Sequence, residues 1–111
     1  MLSIPADRSV CTVIVTVDAA PTVLADLIEH ARAGVEQLFP HYPGYLGGAL
    51  HVSDDQTRLI QYLQWESESD YLACRDDPSW DDHESTRRFL SHIAEGRAVI
   101  EAHTFSVTAA S

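Results

Sequence analysis

The segment from Tyr42 to Tyr71, YPGYLGGALHVSDDQTRLIQYLQWESESDY, commits the chain to a β-hairpin that runs into a helix. Pro43-Gly44 marks a turn, and Tyr45 to Ser53 reads as a strand. Asp54-Asp55-Gln56 closes the hairpin, because Asp is a good turn former. Thr57 to Trp65 is the returning strand. Ser67-Glu68-Ser69-Asp70 matches a capping box, with Asp in place of the commoner Glu, and opens a short helix to about Arg75.

The flanking elements follow from pattern. Val10 to Val17 is rich in β-branched residues and reads as a strand. Cys11, Val13, Val15 and Val17 point to one face, and Val10 and Ile14 to the other. Pro21 sits in the first turn of a helix running to about Phe39. Leu24, Leu27, Ile28, Ala31, Val35 and Leu38 make its apolar stripe, with His30, Glu29, Arg32 and Glu36 largely off it. Asp77-Pro78-Ser79 starts another helix, which carries Trp80, His83, Arg87, Leu90 and Ala94 on one face and stops at Gly96. Val99 to Val107 is the last strand, and residues 1–9 read as a loose arm.

This order, β-α-β-β-α-β, predicts an α+β, ferredoxin-like fold with a four-stranded antiparallel sheet. Its helices cover one face. The strands read as apolar on both faces, whereas a half-covered sheet should alternate apolar with polar. No spare element remains to cover the second face, so a second copy of the chain is expected there, sheet on sheet, in a homodimer. The 111 residues fit one domain, 1–111. A monomer of that size buries only roughly 65% of its unfolded surface, and a partner subunit adds to that.

Charge excludes several classes. The formal net charge of −10 argues against nucleic acid and against an anionic membrane surface. No apolar run is long enough to span a bilayer. The start, MLSIPADRSV, lacks the pattern of a signal peptide, so a cytoplasmic location is expected. Cys11 and Cys74 are then expected as free thiols, and no zinc-ligand spacing, P-loop or nucleophile elbow is present.

The candidate site lies on the second hairpin strand. Its odd positions, Leu59, Gln61, Leu63 and Trp65, are expected to face the helices. Gln61, Leu63 and Trp65 would then enter the layer between sheet and helices, with Tyr71 folding over the same space. Trp80, His83 and Arg87 supply a lid or wall. Apolar walls with a few convergent hydrogen-bonding groups make a small-molecule site. Each residue also has a plainer role. Trp65 at a strand end suits the core, and Tyr71 can pack with its hydroxyl in water. Gln61 needs either a structural partner or a ligand, because a buried amide without one costs roughly 1–3 kcal/mol. His83 reads as a half-exposed helix histidine or as a base.

These residues resemble the core of the antibiotic biosynthesis monooxygenase family, small dimeric α/β-barrel proteins. The resemblance rests on Pro43-Gly44, the hairpin Asp54-Asp55-Gln56-Thr57, the run Tyr62-Leu63-Gln64-Trp65-Glu66-Ser67, and Tyr71. It is closest to the anthrone oxygenases of aromatic polyketide pathways. It implies oxidation of a phenolic anthrone or naphthol to a quinone, with dioxygen as co-substrate and no metal or other cofactor. Trp65 and Tyr71 match the family's site residues, and Gln61 stands where an asparagine is expected. The family's arginine falls near Glu84, with Arg87 or Arg88 about one turn on as its substitute. The resemblance implies catalytic roles for Gln61, Trp65 and Tyr71; His83 is the candidate proton acceptor, and Leu63, Trp80 and Arg87 are the candidate substrate contacts. Other members degrade haem, using a tryptophan on the short second helix and a later histidine. Here Cys74 stands at roughly that tryptophan position, and His83 follows. A non-oxidative polyketide cyclase or ligand-binding protein on the same fold is the alternative.

Overall fold

The computed structural model describes residues 10–109, and the arm expected over 1–9 lies outside them. The elements are β1 (Cys11–Ala19), α1 (Pro21–Ala33), β2 (Tyr45–Val52), β3 (Arg58–Trp65), α2 (Glu68–Arg75), α3 (Glu84–Ala94) and β4 (Ala98–Ser106). The strands form one antiparallel sheet in the order β2-β3-β1-β4. The expected ferredoxin-like topology is therefore present, with β3 and β1 at the centre.

Register decides which side chains meet the helices. Gln61 lies opposite Val15 on β1 and Leu50 on β2, and Trp65 opposite Cys11 and Tyr45. The helix-facing set buries Val13, Val17, Leu59, Leu63 and Trp65 against Leu24, Leu27 and Ala31 of α1 and Cys74 of α2. Leu63 faces Gly48 across the ladder. A Cβ at Gly48 would stand 2.6 Å from the Tyr45 hydroxyl and 2.8 Å from a Leu63 methyl carbon, so only hydrogen fits there.

The turns are built as their residue types dictate. Ser67 caps α2 by accepting from the Asp70 backbone N–H at 3.2 Å. In the hairpin loop, Asp55 accepts from the Ser53 and Thr57 hydroxyls, each at 2.7 Å, and from the Thr57 N–H at 3.1 Å. Gly44 takes φ +85°, a left-handed conformation open to glycine, and its carbonyl accepts from Glu66 N–H at 2.7 Å to end the β2–β3 ladder.

Two helices differ from the sequence expectation. The first ends as an α-helix at Ala33 and continues as a π-helical turn, Gly34–Leu38, then a 3₁₀ turn, Phe39–His41. The wider turn follows Gly34, the residue with the weakest hold on α-geometry, and delivers Phe39 into the core. The long helix expected after Asp77 is also broken. Asp77 caps only a 3₁₀ turn, Pro78–Asp82, and His83 is extended at φ −97°, ψ 122° before α3 begins. Trp80 and His83 therefore do not share a helical face with Arg87 and Leu90.

The face of the sheet away from the helices is more mixed than the apolar strands imply. It carries Ile14, Ile60 and Tyr62, but also Thr12, Thr16 and Gln64. Thr12 and Gln64 pair across the ladder and are both buried, and Thr12 Oγ1 and Gln64 Oε1 have no hydrogen-bond partner among the described residues.

Candidate active site

A cavity of about 240 Å³ lies between the helix-facing side of the sheet and the three helices. This is just under the ~300–1,000 Å³ usual for ligand sites. Its floor is β3, with Gln61, Leu63 and Trp65, flanked by Val15 of β1. Ala31 and His30 of α1, with Gly34, Leu38 and Phe39 beyond it, make one wall. Tyr71, Cys74 and Arg75 of α2 and the following Trp80 make another, and Thr86, Phe89 and Leu90 of α3 close the roof. The lining is almost wholly apolar. Ile100 and Ala102 of β4 form the rim, where the exposed Leu90 and Ile100 admit solvent. A second groove along β4 shares Tyr71, Arg75 and Ala102 with the cavity, so its mouth lies between α2 and β4.

Aromatic rings stiffen the inner end. Trp65 is completely buried and packs edge-on against Tyr45, with ring centroids 5.2 Å apart, and against Phe39 at 6.3 Å. Phe39 in turn meets Trp80 at 5.6 Å. The Arg75 guanidinium lies 5.9 Å over the Tyr71 ring and bonds Asp76 through Nε at 2.9 Å.

Polar groups in this wall are under-partnered. Among the described residues, the Trp65 and Trp80 indole N–H groups are buried without an acceptor. Gln61 is 8% exposed, and its amide makes no hydrogen bond to another described residue. Titration is biased toward protonated forms. Burial raises the Tyr71 phenol, opposed in part by Arg75, and pushes the Cys74 thiol up to about 12. Neither ionises near neutral pH.

The structure brings Gln61, Leu63, Trp65, Tyr71 and Trp80 to one cavity. His83 and Arg87 are not among its lining residues. His83 caps α3 at the surface, and Arg87 is exposed on α3. The extended backbone at His83 turns α3 so that Thr86, Phe89 and Leu90 face inward instead. Reading from sequence missed His30, Phe39, Cys74 and Arg75. His30 carried one usable signal, Asp26 four residues before it, which places the two on one helix face. Among the described residues, no group of three or more His, Cys, Asp or Glu side chains is placed to hold a metal ion.

A ferredoxin-like sheet roofed by helices, with an apolar cavity floored by its central strand, is an arrangement suited to a small molecule. The sequence matches the model of the antibiotic biosynthesis monooxygenase family over residues 11–95, and the chain belongs to that family. It is 30% identical over 83 residues to tetracenomycin-F1 monooxygenase of Streptomyces glaucescens, covering 75% of this chain and 74% of that one. Among solved structures it is similar to the ActVA-Orf6 monooxygenase of Streptomyces coelicolor, which was captured with nanaomycin D. The two share 29% identity at a TM-score of 0.65, covering 88% of each chain. SnoaB, a cofactor-independent oxygenase of Streptomyces nogalater, shares the fold at a TM-score of 0.64 and 15% identity, over 92% of this chain and 96% of that one. The protein is thus an oxidoreductase of the monooxygenase class, related to polyketide monooxygenases. Among the described residues, no helix is long and apolar enough to cross a membrane.

Proposed function

We propose that this protein is a cofactor-independent monooxygenase that oxidises a phenolic aromatic polyketide, of the anthrone or naphthol type, to a quinone with dioxygen. It acts in the cytoplasm, in secondary-metabolite biosynthesis, as a single domain paired with a second copy. The observation that carries the reading is the Trp65 indole N–H, buried in the cavity wall with no acceptor among the described residues. Such a group costs roughly 1–3 kcal/mol unless a ligand satisfies it. The family membership and the ligand of the ActVA-Orf6 structure point to an aromatic polyketide as that ligand.

In this reaction the substrate loses a proton to become an electron-rich anion. The anion passes one electron to dioxygen, the two radicals combine to a peroxide anion, the proton returns to give a hydroperoxide, and loss of water leaves the ketone. One CH₂ and one O₂ thus become one C=O and one H₂O. The protein's work is to hold the ring, exclude bulk water and stabilise the oxyanion. The apolar walls do the first two. The Gln61 amide, Trp65 N–H and Tyr71 hydroxyl are the donors for the third, each worth roughly 2–4 kcal/mol of barrier when well aimed. Leu63 and Trp80 flank the ring.

A second copy fits the exposed apolar surface of β4 and the far face of the sheet. Val99 is 64% and Phe105 50% exposed, beside the buried Thr12 and Gln64 oxygens, which have no partner among the described residues. Sheet-on-sheet packing would cover that surface.

The test is oxygen uptake by metal-free protein with a panel of anthrones and naphthols. Stoichiometric uptake with quinone formation is expected. Tight binding of the panel without oxygen consumption would overturn the oxidative reading in favour of a cyclase or ligand-binding protein.

A further inference from the structure

The oxidation proposed above needs a group that takes a proton from the buried substrate, and this inference rests on that reading. Four cavity-lining side chains can titrate, His30, Tyr71, Cys74 and Arg75. Tyr71 and Cys74 keep their protons because burial disfavours their anions, and Arg75 has no acceptor atom. His30 is the member whose neutral ring carries an open lone pair.

What surrounds His30 determines which nitrogen that is. Arg97, at the entrance to β4, donates through Nε to His92 Nδ1 at 2.9 Å. Arginine only donates, so His92 Nδ1 accepts and its proton sits on Nε2. His92 Nε2 then donates to Asp26 Oδ2 at 2.6 Å. That bond, ahead of the nearby imidazoles' charge, holds the Asp26 carboxyl below the usual carboxylate range. The same Oδ2 lies 3.2 Å from His30 Nε2, at ion-pair distance though off the line of a hydrogen bond. Both imidazoles are largely shielded, with side chains 13% and 15% exposed. A carboxylate beside Nε2 draws the ring proton there and leaves Nδ1 as the basic atom. The groups facing His30 are thus Asp26 on its own helix, His92 from α3 with Arg97 behind it, and Tyr71, Cys74 and Arg75 across the cavity.

We propose that His30 is the general base of the reaction, taking the substrate's acidic proton on Nδ1, and that Asp26 is the positioning residue that orients it. The proton moves to His30 while its electron pair stays on the ring system as the anion that dioxygen oxidises. The imidazolium is then paired with the Asp26 carboxylate. It returns the proton to the peroxide anion, giving the hydroperoxide that then loses water. His92 and Arg97 keep Asp26 ionised and in place.

The experiment reads ionisation separately from oxidation. Dithranol, an anthrone, is bound to the protein without oxygen, and its anion band is followed against pH. In the native protein the bound probe should ionise near neutral pH. In His30→Gln its ionisation constant should drop roughly 10²-fold, the scale for an anion that loses a neighbouring cation. Asp26→Asn should give a smaller drop that Asp26→Glu restores, and His41→Gln should change nothing. A non-ionisable methyl ether of the probe should bind every variant alike. An unchanged ionisation curve in His30→Gln, or a loss in His83→Gln instead, overturns the assignment. Should His30→Gln fail to fold, an unshifted curve in Asp26→Asn overturns it. If the native protein ionises dithranol but consumes no oxygen in air, the oxidative reading fails while His30 keeps its role. If His30→Gln oxidises dithranol with the native pH profile, the oxidative reading stands and the base assignment falls.

Discussion

The Trp65 and Tyr71 rings stand 6.2 Å apart at 50°, so the end of β3 and the middle of α2 form one corner of the cavity. The Ser67 cap sets the start of α2 directly after Trp65, and helical pitch then returns Tyr71 over the indole. Trp65 consequently serves both packing and polarity, and the two can be separated by substitution.

Trp65→Phe keeps most of the buried ring and removes the N–H. Activity on an anthrone should fall by about 10²-fold or more, the scale for a lost oxyanion donor. Its destabilisation should stay well below the roughly 3–5 kcal/mol expected of Trp65→Ala. Oxygen uptake and thermal denaturation on the same preparations check both halves.

Gln61→Leu should move stability and activity in opposite directions. The residue is 8% exposed and its amide bonds no other described residue, so an apolar side chain of similar size relieves part of the cost of desolvating it. Turnover should fall because a donor is lost. A destabilised variant would mean that the amide is bonded within the protein.

Stability should decline in acid through identifiable carboxylates. Asp77 accepts from the Ser79 N–H at 2.9 Å and from the Tyr42 hydroxyl at 2.7 Å, which together hold it below its usual range. Asp55 is lowered by Thr57 first and then Ser53. A folded-state pKa below the unfolded one gives stability that is fully present above the unfolded value and lost as pH falls through the folded one. The melting temperature should therefore drop below about pH 4. Asp77→Asn and Tyr42→Phe should each flatten that drop.

Gly44→Ala should cost about 1–2 kcal/mol from the left-handed backbone alone. The new methyl would also press on the Asp70 side chain, which bonds the Ser67 cap. Thermal denaturation should register the loss.

The sheet-on-sheet pairing proposed above predicts a dimer in sedimentation. Ile60→Glu with Phe105→Glu places charge on the half-buried and exposed apolar far face and should yield monomers. A native protein that sediments as a monomer would remove the pairing.

The β-α-β-β-α-β order, the hairpin at Asp54-Asp55 and the inward side of β3 were legible because they depend on local chemistry. Alternation with period two, turn residues and caps act over a few neighbours. That was enough to gather Gln61, Leu63, Trp65 and Tyr71 at one site. The breaks at Gly34 and His83 were not legible, since the helical pattern runs across both, and Gly34 weakens α-geometry without fixing what replaces it.

By itself, then, the sequence determined the topology and the floor of the cavity. Tertiary structure alone decided who stands opposite that floor. Asp26 and His92 are separated by 66 positions and meet only when α1 and α3 pack side by side. No spacing rule links residues so far apart, because their distance is set by the sheet and helices between them. His30 reads as a surface residue of α1 until α3 covers it. Its likeness to His83 in type, and its difference from it in surroundings, is a property of the packed molecule.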